Sequence, residues 1–131
     1  MEEENKKILI DNLSSLADIQ NAFTSLYPFL KIEFIDSDKS SRTVRSQRID
    51  SSTFARSTLK VTFPYALDIN SNRTVTEIST EVKKALGIVV QVFRKSGNVW
   101  NEISVTDGWT LASQNAAGES ISLEMNARVA S

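Results

Sequence analysis

Ser15-Leu16-Ala17-Asp18-Ile19 and Thr74-Val75-Thr76-Glu77-Ile78 decide the fold. In each, a hydroxyl residue is followed three positions later by an acid, the sequence form of a capping box. Each therefore predicts the start of a helix. The two stretches lie 59 positions apart, Ser15 against Thr74. Behind each start the apolar residues recur at matching helical intervals, Leu16, Ile19, Phe23 and Leu26 in the first, Val75, Ile78, Val82 and Ala85 in the second. The predicted helices also stop alike, at Tyr27-Pro28 and Leu86-Gly87, because proline turns its predecessor away from helix and glycine accepts a left-handed cap.

Strand signals flank both helices. Lys7-Ile8-Leu9-Ile10 precedes the first and Leu30-Lys31-Ile32-Glu33-Phe34-Ile35 follows it, alternating apolar and polar as a strand with one buried face does. Leu59-Lys60-Val61-Thr62-Phe63, resuming at Ala66-Leu67-Asp68-Ile69, precedes the second, and Ile88-Val89-Val90-Gln91-Val92-Phe93 follows it as a more apolar strand. Two strand-helix-strand units with one apolar stripe per helix imply an α+β two-layer sandwich. The expected plan is ferredoxin-like, β-α-β-β-α-β with a C-terminal extension, both helices on one face of a mostly antiparallel sheet of four to five strands. A ubiquitin-like β-grasp is the alternative plan.

Past Phe93, Arg94-Lys95-Ser96-Gly97-Asn98 reads as a hairpin turn with Gly97 at positive φ, leading into a strand from Val99 to Val105. Thr110 to Asn115 reads as one short helical turn before Gly118. Ser120-Ile121-Ser122-Leu123-Glu124-Met125 alternates like a closing edge strand, after which the chain should fray. Residues 36–57 show no period and are rich in Ser and Arg, so a long loop, mobile in part, is expected there. The whole 1–131 chain reads as one domain.

The composition excludes much chemistry. With no Cys and no His, the 131 residues cannot by themselves build a disulfide, a thiol nucleophile, a Cys/His zinc site or a Ser-His-Asp triad. No phosphate-loop, dinucleotide-binding, nucleophile-elbow or EF-hand spacing occurs, and the four glycines give a phosphate cradle little material. No catalytic residue, metal ligand or cofactor is assigned. Fifteen bases against sixteen acids leave a net charge of −1, so the overall field favours neither nucleic acid nor an anionic membrane. The acidic N-terminus lacks the basic stretch of a signal peptide and no apolar run approaches membrane length, so a cytoplasmic protein is expected.

Two local features qualify as candidate sites. Lys39, Arg42, Arg45 and Arg48 are spaced by three with no acid between them, and on a helix they would share a face able to neutralise phosphates. Asp36, Asp38 and Asp50 flank them and no aromatic residue interleaves, so a solvated loop is the simpler reading. The hairpin offers Arg94 and Lys95 beside Trp100, with Trp109 near in sequence, a set that could hold an anion or stack on a planar ligand. Hairpin geometry, edge protection and packing account for the same residues.

Two resemblances accompany these readings. The run Asp107-Gly108-Trp109-Thr110-Leu111, Gln114-Asn115 and Glu119-Ser120-Ile121-Ser122-Leu123 resembles the last third of ubiquitin-like β-grasp domains, although Arg128-Val129-Ala130-Ser131 replaces a diglycine tail. Tyr27 to Phe34 with Val90-Gln91-Val92-Phe93-Arg94-Lys95-Ser96-Gly97-Asn98-Val99-Trp100 and Trp109-Thr110-Leu111 resembles a family of uncharacterised small bacterial proteins, which implies no activity. Together the residues point to a non-catalytic binding or protein-interaction module, pairing with a second copy or a partner protein. The alternative is nucleic-acid or phosphorylated-ligand binding through the local basic residues.

Overall fold

The computed structural model describes residues 6–36 and 48–130, with side chains to residue 127. Its elements are β1 (Lys7–Ile10), α1 (Leu16–Leu26), β2 (Leu30–Ile35), α2 (Ala55–Thr58), β3 (Tyr65–Asp68), α3 (Val75–Glu81, continued by a π-helical turn Val82–Leu86), β4 (Val89–Ser96), β5 (Val99–Glu102) and α4 (Leu111–Ala130). Both capping boxes form: Asp18 N–H donates to Ser15 Oγ and Ser15 N–H to Asp18, and Thr74 and Glu77 repeat the exchange. Tyr27 ends α1, and Gly87 closes the π-turn at φ 72°, as a left-handed cap requires.

The class is α+β, with helices layered on antiparallel strands. The single sheet expected from the sequence is instead divided. Among the described residues β1 pairs only with β3, and β2, β4 and β5 form a second sheet in that order. β-Grasp domains place a hairpin ahead of the helix, whereas β1 and β3 each precede a helix alone and pair with one another.

The echo between Ser15 and Thr74 is a structural duplication. Ala17 N–H donates to Ser51 O at 2.8 Å, and Thr76 N–H donates to Asp107 O at 3.0 Å. Ala55 N–H reaches Ser14 O and Leu111 N–H reaches Arg73 O, both at 2.8 Å; Ile49 N–H reaches Phe34 O and Ile103 N–H reaches Val92 O, both at 2.9 Å. The bridges Ser15↔Phe54 and Thr74↔Thr110 match as well. Each unit thus runs strand, helix, strand, return, capping turn, helix, and α4 is the long counterpart of α2. The core residues correspond too, Ile8 and Ile10 to Leu67 and Ile69, and Leu30, Ile32 and Phe34 to Ile88, Val90 and Val92. Each ladder is centred on a pair of corresponding residues, Ile8↔Leu67 and Glu33↔Gln91, as an approximate two-fold rotation between the units requires.

One core lies between the helices and strands, filled from both units by residues such as Phe23, Ile10, Ile69 and Leu86. Full burial of each such side chain contributes about 1.5–3 kcal/mol.

Three expectations are corrected. The C-terminal stretch is not a helical turn followed by an edge strand but one helix, α4. Its buried residues are Leu111, Gln114, Gly118 and Ser122, a helical stripe hidden from a hydropathy reading because three of the four are small or polar. The alternating Ile121, Leu123 and Met125 are all exposed. Second, Leu59 to Phe63 is irregular chain; Leu59 is buried as the cap of α2, and the strand begins at Tyr65. Third, residues 36–57 are not one loop: Arg48 bridges Ile35, as Glu102 pairs with Phe93 in the other unit, and α2 begins at Ala55. The rest of that expectation, residues 37–47, lies outside the described residues.

Candidate functional site

β2, β4 and β5 give the second sheet one face toward the core and one away from it. Leu30, Ile32, Phe34, Val90 and Val92 point inward, so strand alternation sends Lys31, Glu33, Gln91, Phe93 and Lys95 outward. The pairings Lys95↔Trp100 and Phe93↔Glu102 add Trp100 and Glu102 to the outer face. There Lys31 Nζ lies 5.4 Å from the Phe93 ring centre and 5.1 Å from that of Trp100, and Lys95 Nζ lies 5.8 Å from Trp100 on its own. Glu33 joins this group to Arg48, at 3.5 Å from Lys31 Nζ and 2.9 Å from Arg48 Nε. A row of side chains therefore runs Arg48, Glu33, Lys31, Trp100, Lys95 across the sheet. Each cation–ring contact at such a half-exposed place is worth about 0.5–1 kcal/mol.

Of the residues singled out from the sequence, Arg48, Lys95 and Trp100 share this face. Arg94 does not: strand alternation turns it to the other face, where Nη1 donates to Gln114 Oε1 at 2.8 Å and the guanidinium lies 5.7 Å from the Trp109 ring centre. Lys39, Arg42 and Arg45 lie outside the described residues. Sequence reading missed Lys31, Glu33 and Phe93. The alternation of Leu30 to Ile35 already placed Lys31 and Glu33 on a face away from the core, but only the register of β2 against β4 puts Lys31 opposite Phe93.

The two edges of this sheet differ. On β2 the outward carbonyls are covered in turn: Leu30 O accepts from Thr24 Oγ1 at 3.0 Å, Ile32 O from Gln20 Nε2 at 2.9 Å, and Phe34 O from Ile49 N–H at 2.9 Å. β5 has no such cover. Because Ile103 N–H bonds to Val92 O, antiparallel alternation makes Arg94↔Asn101 and Ser96↔Val99 the bonded pairs and turns the N–H and C=O of Trp100 and Glu102 away from β4. Among the described residues, nothing accepts or donates a hydrogen bond there.

The N-termini of α1 and α4 offer no anion site. The first four N–H groups of α4 go to Arg73 O, Ser71 O, Thr110 Oγ1 and Thr110 O, and those of α1 are satisfied by Thr53, Ser51 and Ser15. Carbonyls and hydroxyls of the chain thus occupy the place an anion would take at these two ends.

Apart from the Lys31, Glu33 and Arg48 group, titratable groups also converge at Tyr65, Glu81 and Arg73. The Tyr65 hydroxyl donates to a Glu81 carboxylate oxygen, and Arg73 Nη1 meets the other at 2.5 Å while also reaching Asp68 O at 2.9 Å. Burial, with the Glu81 hydrogen bond and charge behind it, pushes Tyr65 up to about 12. Such a phenol holds its proton and is a poor base. Tyr27 is buried and donates to Ile69 O at 2.6 Å, a tie across the core.

Among the described residues no group of three or more Asp or Glu is placed to hold a metal ion, and no helix is long and apolar enough to cross a membrane. No family model matches the chain, and neither a curated protein nor a solved structure matches it.

Proposed function

We propose that this protein is a non-catalytic interaction module that accepts an extended segment of a partner protein as an added strand along β5. The observation that carries the reading is the contrast between edges, the β2 carbonyls being covered one by one while Trp100 and Glu102 keep outward backbone groups open. Open edges are ordinarily blunted, and strand addition takes its affinity from such groups. Trp100, with Phe93 near it, supplies an aromatic side chain of the kind that anchors partner chains at interfaces, and Lys31 and Lys95 lie against these rings.

The test is panning of a random-peptide display library on the immobilised protein, followed by amide exchange with a selected peptide bound. Slowed exchange at Trp100 and Glu102, lost in Glu102→Pro, is the expected result. Proline at residue 102 removes an outward N–H and spares the ladder to β4. Selected peptides that leave both amides unchanged, or that bind Glu102→Pro equally well, would overturn the reading. Concentration-dependent dimerisation that protects the same amides would name a second copy as the partner.

A second reading, unpaired nucleic acid, is favoured by the two lysines flanking the two rings on one face. It requires oligonucleotide binding that weakens with added salt and is lost in Trp100→Ala.

A further inference from the structure

On the face of β5 opposite Trp100, a cleft of about 230 Å³ is lined by Arg94, Asn101, Ile103, Ser104, Val105 and Thr106, with Glu102 also at its border. Arg94 is held there from behind. Gln114, fully buried, accepts from Arg94 Nη1 through Oε1 and is itself fixed by donating Nε2 to Thr106 O at 2.6 Å and to Thr106 Oγ1 at 3.2 Å. Trp109 lies beside the guanidinium. The remaining guanidinium donors have no partner among the described residues. Alternation places the Glu102 side chain with Phe93 on the other face, so Arg94 is the ionised side chain directed to this cleft.

We propose that this cleft binds a carboxylate, paired by the donors of Arg94 that Gln114 leaves open and flanked by the Asn101 amide. A guanidinium fork matches a planar carboxylate, and a donor oriented beforehand by buried partners loses little freedom on binding. Ile103 and Val105 give the cleft apolar wall for a short carbon chain. The carboxylate belongs either to a small free acid or to the C-terminus of a peptide. The site is independent of strand addition along β5.

The duplication supplies an internal control. Arg94 stands two residues after Val92, and Asp36 stands two residues after Phe34, the counterpart of Val92. A cleft lined by Asp36 and Ile49, the counterparts of Arg94 and Ile103, together with Thr58 and Lys60 therefore carries a carboxylate at the position where the second unit presents a guanidinium.

The experiment is an NMR titration of the whole chain with succinate, with inorganic phosphate, and with a tripeptide as its free acid and as its C-terminal amide. Saturable shifts are expected at Arg94 Nε–H, the Asn101 side-chain amide and the Trp109 indole, with none at Ile49 or Thr58. Succinate binding without the tripeptide identifies a small acid; binding of the free-acid tripeptide but not its amide identifies a chain end. Arg94→Lys should weaken binding about tenfold or more. Should that variant unfold because Gln114 loses its partner, Asn101→Glu sets a negative charge at the cleft without touching Gln114 and should weaken binding as much. Absence of saturable shifts, equal shifts with phosphate, or undiminished binding by Asn101→Glu would each overturn the proposal.

Discussion

Replacing Gly118 with Ala sets two known effects against each other, and their sum reports whether α4 packs where described. In an unpacked helix the change adds about 1 kcal/mol of stability, because glycine is the poorer helix former by that amount. Against β4 the added methyl meets resistance. A Cβ at residue 118 would stand 2.9 Å from Phe29 Cβ, 3.1 Å from Arg94 Cγ and 3.2 Å from the Lys95 carbonyl oxygen. The first is the root of a ring and the last is backbone, so neither yields by a simple side-chain rotation. Overpacking of this kind costs about 1–3 kcal/mol. Taking about 2 for the clash and about 1 for the propensity gain, Gly118→Ala should be destabilised by about 1 kcal/mol, a melting point lower by about 3 °C in a chain of this size. Urea unfolding followed by fluorescence of Trp100 and Trp109 measures it. Ala116→Gly, at an exposed position of the same helix, calibrates the propensity effect at about 1 kcal/mol of loss. If Gly118→Ala is instead more stable than the parent by as much as Ala116→Gly is less stable, residue 118 faces solvent and the described packing of α4 is wrong.

The remaining predictions concern the caps and the tyrosine cluster. Ser15→Ala and Thr74→Ala should each lower unfolding free energy by about 1 kcal/mol in the same urea assay, and by similar amounts, since the two capping boxes are counterparts; a change in only one of them would argue against the duplication at these ends. Tyr65 titrates at about 12 in the folded chain against an ordinary 10.0, so the stability it lends is complete below about pH 10 and is lost as pH rises through about 12. Phenolate absorbance, with Tyr65→Phe subtracted to remove Tyr27, should show the raised titration, and Glu81→Gln should bring it down; a titration of ordinary position in the parent would refute the pairing.

The sequence made the helix ends legible because caps are local chemistry: Ser15 with Asp18, Thr74 with Glu77 and Gly87 after Leu86 need no distant partner. Strand pairing was not legible in the same way. The two units repeat, but whether their strands join within a unit or between units depends on packing across the core, and Leu59 to Phe63 satisfied a strand pattern without a strand to pair with. α4 was misread for a specific reason. Its buried stripe contains Gln114, Gly118 and Ser122, and a fully buried Gln is intelligible only once Arg94 and Thr106 are seen as its partners. The candidate cleft shows the same limit. Arg94 and Lys95 look interchangeable in sequence, yet neighbouring positions on a strand face opposite ways: the Arg94 side chain reaches Gln114 of α4, and the Lys95 side chain lies by Trp100.

The interlocked duplication also bears on how the chain reaches its folded state. Both principal ladders, β1 with β3 and β2 with β4, join the first unit to the second. During synthesis the first unit therefore emerges with β1 and β2 still lacking their partners, and it must wait for β3 and then β4. Contacts so distant in sequence close slowly, and unpaired strands are vulnerable meanwhile to association with other chains. A first unit expressed alone should behave as half of a dimer, gaining stable strands when the second unit is supplied as a separate polypeptide.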